Sequence, residues 1–166
     1  MIPIVSIVGK SKSGKTTLIE RLVPEIKRRG YRVATVKHDA HTFEIDREGK
    51  DSSRHKKAGA VISIISSPRK VAVIMDVERD LSLSELRDRF VSEVDLIISE
   101  GYYKDSQSKI EVFRKEAHHE PLCNKKDNLI AFVSDVPLDK GIPCFGLNEI
   151  KKIADLIEKK FLKKRG

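Results

Sequence analysis

Hydrophobic positions along the chain fall into short β-branched runs that alternate with segments of helical periodicity. The first run covers residues 2–8 and ends at Gly9; apolar residues then recur at helical spacing over residues 16–29, before Gly30. This pattern predicts a strand, a glycine turn and a helix. Pro24 should kink that helix, because proline lacks a backbone donor.

The same alternation continues to the end of the chain. Short apolar runs predict buried strands over residues 31–36, 61–66, 71–76, 94–99, 129–134 and 142–145. A capping box of Ser82 and Glu85 predicts a helix to about residue 91, and one apolar stripe predicts another helix over residues 149–164. We therefore expect an α/β fold of the P-loop NTPase type, with a mostly parallel central sheet and helices on both faces, in a single nucleotide-binding domain over residues 1–166.

Composition narrows the class of protein. The 166 residues are 39% hydrophobic, which suffices for one buried core, and no apolar run reaches the 18 residues that a membrane span needs. Cys123 and Cys144 lack the close spacing of zinc ligands, so we expect neither a zinc site nor a disulfide framework. We interpret the chain as cytoplasmic, with no membrane partner.

The turn after the first strand carries the clearest chemistry in the chain. Residues 9–16 read G-K-S-K-S-G-K-T, which matches the phosphate-binding loop (P-loop) pattern G-x-x-x-x-G-K-[ST] between a predicted strand and a predicted helix. In such a loop backbone N–H groups surround the phosphates, Lys15 reaches the β- and γ-phosphates, and Thr16 holds Mg²⁺. The predicted nucleotide-binding residues are Gly9, Lys10, Ser11, Lys12, Ser13, Gly14, Lys15, Thr16 and Thr17.

A second acidic group is needed to hold the metal. The apolar run 94–99 ends at Glu100, and ligands in open α/β sheets bind at the carboxyl ends of the strands. We prefer Glu100 to Asp95, which begins the strand and lies roughly 17 Å away at the rise of a strand. Thr16 and Glu100 are therefore the predicted metal residues, and Lys15 and Glu100 are candidate catalytic residues.

Two further patterns leave alternatives open. Lys10 precedes Lys15 by five residues, as in the deviant P-loop ATPases, where this lysine reaches a partner's nucleotide across a dimer; the alternative is a solvent-facing lysine near phosphate. Residues 124–127 have the sequence N-K-x-D, a motif that binds the guanine base in many GTPases. That motif should follow a buried strand, whereas here it follows a polar segment that contains Pro121. A charged turn is the alternative reading of that segment.

The middle of the chain resembles one protein family closely. The matching residues are Thr35-Val36-Lys37-His38, His41, Phe43, Asp46, Gly49-Lys50-Asp51-Ser52, Arg54-His55, residues 58–60, the P-loop, residues 95–101, residues 109–112 with Arg114, and residues 133–135. They resemble the signature of the molybdopterin-guanine dinucleotide biosynthesis adapter protein B family. That resemblance implies a GTP- and Mg²⁺-binding protein, usually a homodimer and at most a weak GTPase. It further implies that the protein assists the guanylyltransferase that joins GMP to molybdopterin.

The polar segment after the second predicted strand is long for a passive connection, and it can lie along the phosphates. Its candidates for partner or pterin binding are Lys37, His38, Lys50, Asp51 and Arg54. Asp51 is also a candidate catalytic residue through a water of the metal, and Arg54 or Lys37 can pair with a pterin phosphate. The alternatives are a solvated helical turn over residues 54–56, histidines that bond within the loop, and a metal site of His38, His41 and Asp46.

The formal net charge of +8 indicates an anionic partner, which is nucleic acid, a membrane surface or phosphates. Residues 149–166 hold seven basic and three acidic side chains, so half of this excess lies in the last predicted helix. Basic and aromatic residues do not interleave as they do in proteins that stack bases, and we expect no nucleic-acid partner. Two other functions compete with the adapter: a small-molecule P-loop kinase, which the lack of an arginine-rich lid disfavours, and a GTPase metallochaperone.

Overall fold

The computed structural model describes residues 1–39 and 51–163. Within them the elements are β1 (Ile4–Val8), α1 (Lys15–Arg28), β2 (Val33–Lys37), α2 (Asp51–Lys57), β3 (Ile62–Ser67), β4 (Lys70–Met75), α3 (Leu83–Phe90), β5 (Leu96–Glu100), β6 (Ser108–Phe113), β7 (Leu129–Ser134), β8 (Cys144–Gly146) and α4 (Ile150–Phe161). The chain divides into two compact units, one within Met1–His38 and Ser82–Gly166, the other within Asp39–Leu81.

The first unit is built on a six-stranded sheet with the order β2-β5-β1-β6-β7-β8. Every neighbouring pair in this sheet is parallel. Strands of a parallel sheet are covered on both faces, which is why β1 and β5 are continuous apolar runs in the sequence. The predicted α/β fold with a mostly parallel sheet is confirmed.

Alternate residues of β1 enter two different layers of the core. Val5 and Ile7 pack on one face against apolar residues of α1 and α4, whereas Ile4 packs on the other face with Ile97 and with Leu83 of α3. This alternation follows from the two-residue period of a strand. Helices therefore cover both faces of the sheet as predicted, and α1 continues without a break through Pro24.

Strand β6 was absent from the strands that the hydrophobic pattern predicts, because two charged residues interrupt its apolar run. Lys109 and Glu111 are buried in the strand. The Lys109 ammonium donates to the backbone carbonyls of residues 105, 107 and 127, and the Glu111 carboxylate accepts from the backbone N–H groups of Leu122 and Cys123. Burial is tolerated because both groups are fully hydrogen-bonded to backbone, a compensation that a local pattern does not reveal.

The second unit contains α2 and an antiparallel hairpin of β3 and β4. Residues 54–56 are helical, as the alternative of a helical turn predicts, but of their side chains Lys56 is largely buried and not solvated. Lys56 connects the helix to the hairpin, since its ammonium donates to the Asp76 carboxylate over 2.6 Å and to the Val61 carbonyl over 3.0 Å. No described helix in either unit has the length and apolar character to cross a bilayer.

Candidate functional site

The loop between β1 and α1 has the backbone that phosphate binding requires. Gly9 and Gly14 adopt φ values of 145° and 100°. A Cβ at position 9 would lie 2.4 Å from the Val112 carbonyl oxygen, so only glycine lets the loop pack this closely against β6. Gly14 caps α1 without a side-chain hydrogen bond, and no acidic residue lies in the first turn of the helix. The first N–H groups of α1 are thus left for an external anion.

Lys15 extends back across this loop. Its Nζ donates to the carbonyl oxygens of Gly9 and Lys10, each at 3.0 Å. Burial lowers the pKa of the Lys15 ammonium, nearby Glu100 opposes that shift, and Lys37 adds to it. The ammonium therefore already lies inside the loop, where a phosphate oxygen can replace the two carbonyl acceptors.

Thr16 and Glu100 meet at the carboxyl ends of β1 and β5. The parallel pairing aligns Ile7 with Glu100, and the Thr16 hydroxyl donates to both carboxylate oxygens over 2.9 and 3.0 Å. A hydroxyl and a carboxylate are hard oxygen ligands of the kind that Mg²⁺ takes beside substrate phosphates. Asp95 lies before the first residue of β5, where its carboxylate accepts from the Arg32 N–H over 2.7 Å.

Ser13 offers an independent sign that the loop is built for a ligand. Its side chain is fully buried, and within the described part of the chain its Oγ has no hydrogen-bond partner. A buried hydroxyl without a partner is costly unless a bound group satisfies it. Together with the Thr16–Glu100 pair and Lys15, it makes the residues fit a triphosphate with Mg²⁺.

The remaining predicted residues of the loop are exposed at its rim. They are Lys10, Ser11, Lys12 and Thr17, the last on the first turn of α1. The exposed position of Lys10 is the one expected of a solvent-facing lysine. Its role across a dimer stays a prediction.

Strand β2 brings two of the pterin or partner candidates to the same edge. The Lys37 ammonium lies 3.9 Å from a Glu100 carboxylate oxygen, and the His38 N–H donates to the Glu100 carbonyl over 2.9 Å. The His38 ring also contacts Tyr102, with ring centroids 4.6 Å apart. Gly101, which lies between Glu100 and Tyr102 in the sequence, has a φ of 93°. A Cβ at this position would lie 3.2 Å from His38 Cβ, so glycine is favoured there.

The other pterin or partner candidates do not belong to the first unit. Asp51 and Arg54 lie on α2 of the second unit, where the guanidinium is 3.6 Å from the carboxylate. Lys50 lies outside the described residues, as do His41 and Asp46 of the alternative metal site. Catalytic or pterin-binding roles for this group stay predictions.

The N-K-x-D segment forms a charged turn. Asn124 caps a 3-10 helix over Lys125–Asp127, its side chain accepting from the Lys126 N–H, while the Asp127 carboxylate accepts from the Asn124 N–H. The turn precedes β7 and lies at the amino end of the sheet, whereas the P-loop follows the carboxyl end of β1. The turn interpretation is confirmed, because both side chains that would read a base are engaged locally.

The hydrophobic pattern gave no sign of one loop that contacts the P-loop. Arg114 follows β6, and a Cβ at position 14 would lie 3.4 Å from its Nη2. His118 Nε2 lies 2.8 Å from the Ser11 carbonyl oxygen. Of the sequence signals only the family signature includes Arg114, because its proximity to the P-loop depends on β6 lying next to β1 and is not visible in a local pattern.

The chain is similar in sequence to known proteins along most of its length. Residues 4–135 match the family model described as molybdopterin guanine dinucleotide synthesis protein B. The chain is 35% identical over 170 residues to the molybdopterin-guanine dinucleotide biosynthesis adapter protein of Escherichia coli (strain K12), covering 100% of this chain and 97% of the relative. Identity to the Haemophilus influenzae protein of the same name is 36% over 158 residues, covering 95% and 88% of the two chains.

Solved structures agree with the sequence comparison. The crystal structure of a molybdopterin-guanine biosynthesis protein B is similar with a TM-score of 0.73 at 35% identity, covering 94% of this chain and 98% of the other. The crystal structure of Bacillus subtilis MobB gives 0.77 at 28% identity, covering 96% and 98%. This chain therefore belongs to the molybdopterin guanine dinucleotide synthesis protein B family.

Proposed function

We propose that the chain is a cytoplasmic GTP-binding adapter of molybdenum cofactor biosynthesis, which assists the attachment of GMP to molybdopterin and hydrolyses GTP weakly. The observation that carries the nucleotide part is the convergence of Lys15, the Thr16–Glu100 pair and the unpartnered Ser13 hydroxyl around one glycine turn. The names of the two bacterial relatives support the molybdopterin part.

Each residue of the loop has a defined task in this proposal. The backbone N–H groups before and within the first turn of α1 bind phosphate oxygens, and the Lys15 ammonium moves from the loop carbonyls to the β- and γ-phosphates. Thr16 and Glu100 hold Mg²⁺, which neutralises charge on those phosphates when it is bound. The Lys37 ammonium, 3.9 Å from a Glu100 carboxylate oxygen, is available to a pterin phosphate, and His38, whose backbone N–H bonds to Glu100, is the neighbouring candidate.

We expect the active form to be a homodimer joined through the hairpin. Ile64 lies opposite Val73 in the register, and Ile62 and Val71 lie on the same face by strand alternation. These four side chains, the hairpin apolar face, are 64%, 49%, 49% and 62% exposed in that order. An apolar surface on a two-stranded ribbon with open edges is a surface that a second copy of the chain can cover. The guanylyltransferase is the further partner.

Calorimetry with GTP and with ATP in the presence of Mg²⁺ tests the nucleotide site. We expect GTP to bind more tightly than ATP, and Lys15→Ala to weaken GTP binding about 100-fold, because charge-assisted hydrogen bonds to phosphate are lost. Lys27→Ala, an exposed lysine near the other end of α1, is the matched control and should bind as the unchanged protein does.

Three results would contradict the proposal. GTP affinity that survives Lys15→Ala would remove the P-loop assignment, and a preference for ATP would remove the guanine part. Phosphate transfer to a pterin or nucleoside acceptor at tens of turnovers per second would instead identify a kinase. Repeating the titration with molybdopterin and the guanylyltransferase should show binding of each to the GTP-loaded chain.

A further inference from the structure

Arg114 carries a positive charge beside the P-loop that no described protein group balances. It is the first residue after β6, which lies next to β1 in the sheet. Its guanidinium approaches Gly14, since a Cβ at position 14 would lie 3.4 Å from Nη2 and 3.5 Å from Nε. Arg114 is exposed, and its guanidinium has no hydrogen-bond or ion-pair partner among residues 1–39 and 51–163.

The loop that carries Arg114 is held in place at both ends. His118 Nε2 must carry the hydrogen in its 2.8 Å contact with the Ser11 carbonyl, because a carbonyl oxygen can only accept. The Lys115 N–H donates to the Asp135 carboxylate over 3.1 Å. The N–H groups of Ala117 and His118 close a turn by donating to the Arg114 carbonyl over 3.2 and 3.0 Å. The backbone that carries the arginine is therefore positioned before any ligand arrives.

The electrostatics at this point favour a bound anion. The guanidinium lies beside Gly14 at the N-terminus of α1, which carries the positive end of the helix dipole. These like charges repel one another, and a bound anion removes the repulsion. The buried, unpartnered Ser13 hydroxyl independently indicates that this loop receives a polar ligand.

The sheet order places Arg114 and Glu100 on opposite sides of β1. β5 lies on one side of β1 and brings Glu100 to Thr16, whereas β6 lies on the other side and brings Arg114 to Gly14. On the proposed function Thr16 and Glu100 would hold the Mg²⁺, so the metal and the γ-phosphate would lie on the Glu100 side. Resting on the proposed nucleotide function, we infer that Arg114 binds the α- and β-phosphates in a forked contact, as a binding residue that takes no part in transfer of the γ-phosphate.

The experiment compares the full chain with Arg114→Ala and Arg114→Lys, and with Arg89→Ala as a control that removes an equal charge from the exposed side of α3. Calorimetry with Mg²⁺ should show that Arg114→Ala raises the Kd for GTP and for GDP by the same factor, about tenfold or more. Arg114→Lys should recover only part of the loss, because an ammonium makes no forked contact. Single-turnover hydrolysis at saturating GTP should change less than about twofold, and Arg89→Ala should match the unchanged chain throughout.

Other outcomes overturn the inference. Equal affinities of Arg114→Ala and the unchanged chain would show that Arg114 does not bind the nucleotide. Weaker binding of GTP alone, or slower hydrolysis with an unchanged Kd, would place the arginine at the γ-phosphate. Thermal melting verifies that each variant is folded. Failure of the unchanged chain to bind either nucleotide would be a failure of the proposed function itself, and is thereby distinct from a failure of Arg114 alone.

Discussion

At the scale of single residues, the side chains of the site already bond to protein groups that a ligand can replace, so that they need not move far when the ligand binds. The Lys15 ammonium bonds to two loop carbonyls, and the Thr16 hydroxyl bonds to the Glu100 carboxylate. Each of these internal contacts gives a polar group at the edge of the sheet a protein partner in the absence of ligand. A phosphate and a metal ion offer stronger charged partners to the same atoms, so ligand binding needs little rearrangement of the protein.

The charge of Glu100 can be tested separately from its shape. Glu100→Gln keeps an oxygen that accepts from Thr16 but removes the negative charge that attracts Mg²⁺. We expect the affinity for GTP in Mg²⁺ to fall about tenfold, and the affinity in excess EDTA to stay the same or rise, because a negative charge near phosphate is lost. Titration of each variant in both buffers measures this difference.

Asp95→Asn supplies the matched control for that experiment. It removes the same charge from the opposite end of β5, where the side chain accepts from the Arg32 backbone. Its Mg²⁺ dependence should equal that of the unchanged chain. An equal loss of GTP affinity in Mg²⁺ and in EDTA for Glu100→Gln would argue against a metal role for Glu100.

At the scale of elements, an arginine at the C-terminal end of α1 links this helix to α4. Arg29, which is 14% exposed, donates to Glu25 of the same helix and to Asp155 and Glu158 of α4 over 2.7 to 2.9 Å. It also donates to the Lys151 carbonyl over 3.1 Å. This network joins the two helices on one face of the sheet, and α1 begins directly at the P-loop. The orientation of the nucleotide site therefore depends on contacts at the opposite end of the helix.

Arg29→Met tests this network, because it keeps much of the apolar stem and removes the charged hydrogen bonds. We expect the free energy of unfolding to fall by about 2 kcal/mol at neutral pH in urea titrations. Arg28→Met is the matched control, since Arg28 contacts only Glu25 among the described residues and is 66% exposed. The control should change stability far less, and equal effects of the two variants would exclude the contacts to α4 as the cause.

Acid should reduce the difference between Arg29→Met and the unchanged chain. Hydrogen bonds from Arg28 and then Arg29 lower the pKa of Glu25 from 4.5 to about 2. The folded-state pKa lies below the unfolded value, so this carboxylate stabilises the fold fully above pH 4.5 and loses its effect as the pH falls toward 2. Unfolding curves measured at several pH values between those limits show the loss.

Local sequence patterns predicted the elements whose burial is continuous and missed those that depend on distant partners. The strands β1, β5 and β7 appear as apolar runs because both of their faces are covered. Strand β6 does not appear as an apolar run, since its buried Lys109 and Glu111 are hydrogen-bonded to backbone groups that are distant in the sequence. In the same way the P-loop is evident from spacing alone, whereas the approach of Arg114 to Gly14 depends on the strand order.

At the scale of the whole molecule, net charge opposes the association of two copies of the chain, whereas exposed apolar surface favours it. The net charge of +8 makes two copies of the chain repel each other at low salt. Association between copies therefore needs a surface that gains enough from leaving water. The hairpin apolar face provides one, because its four large side chains lie together on neighbouring strands and are 49% to 64% exposed.

Ile64→Asp places a charge at the centre of the hairpin apolar face, and Ile65→Asp places the same charge on the opposite face of the same strand. Burying an unpaired carboxylate between two apolar surfaces is strongly unfavourable, so Ile64→Asp should convert the dimer to a monomer at micromolar concentration. Ile65→Asp should leave the dimer in place. Analytical ultracentrifugation measures both masses, and circular dichroism verifies that the variants are folded. If both variants keep the dimer mass, the hairpin apolar face is not the surface that joins the two copies. If the unchanged chain sediments as a monomer, the proposed dimer does not form.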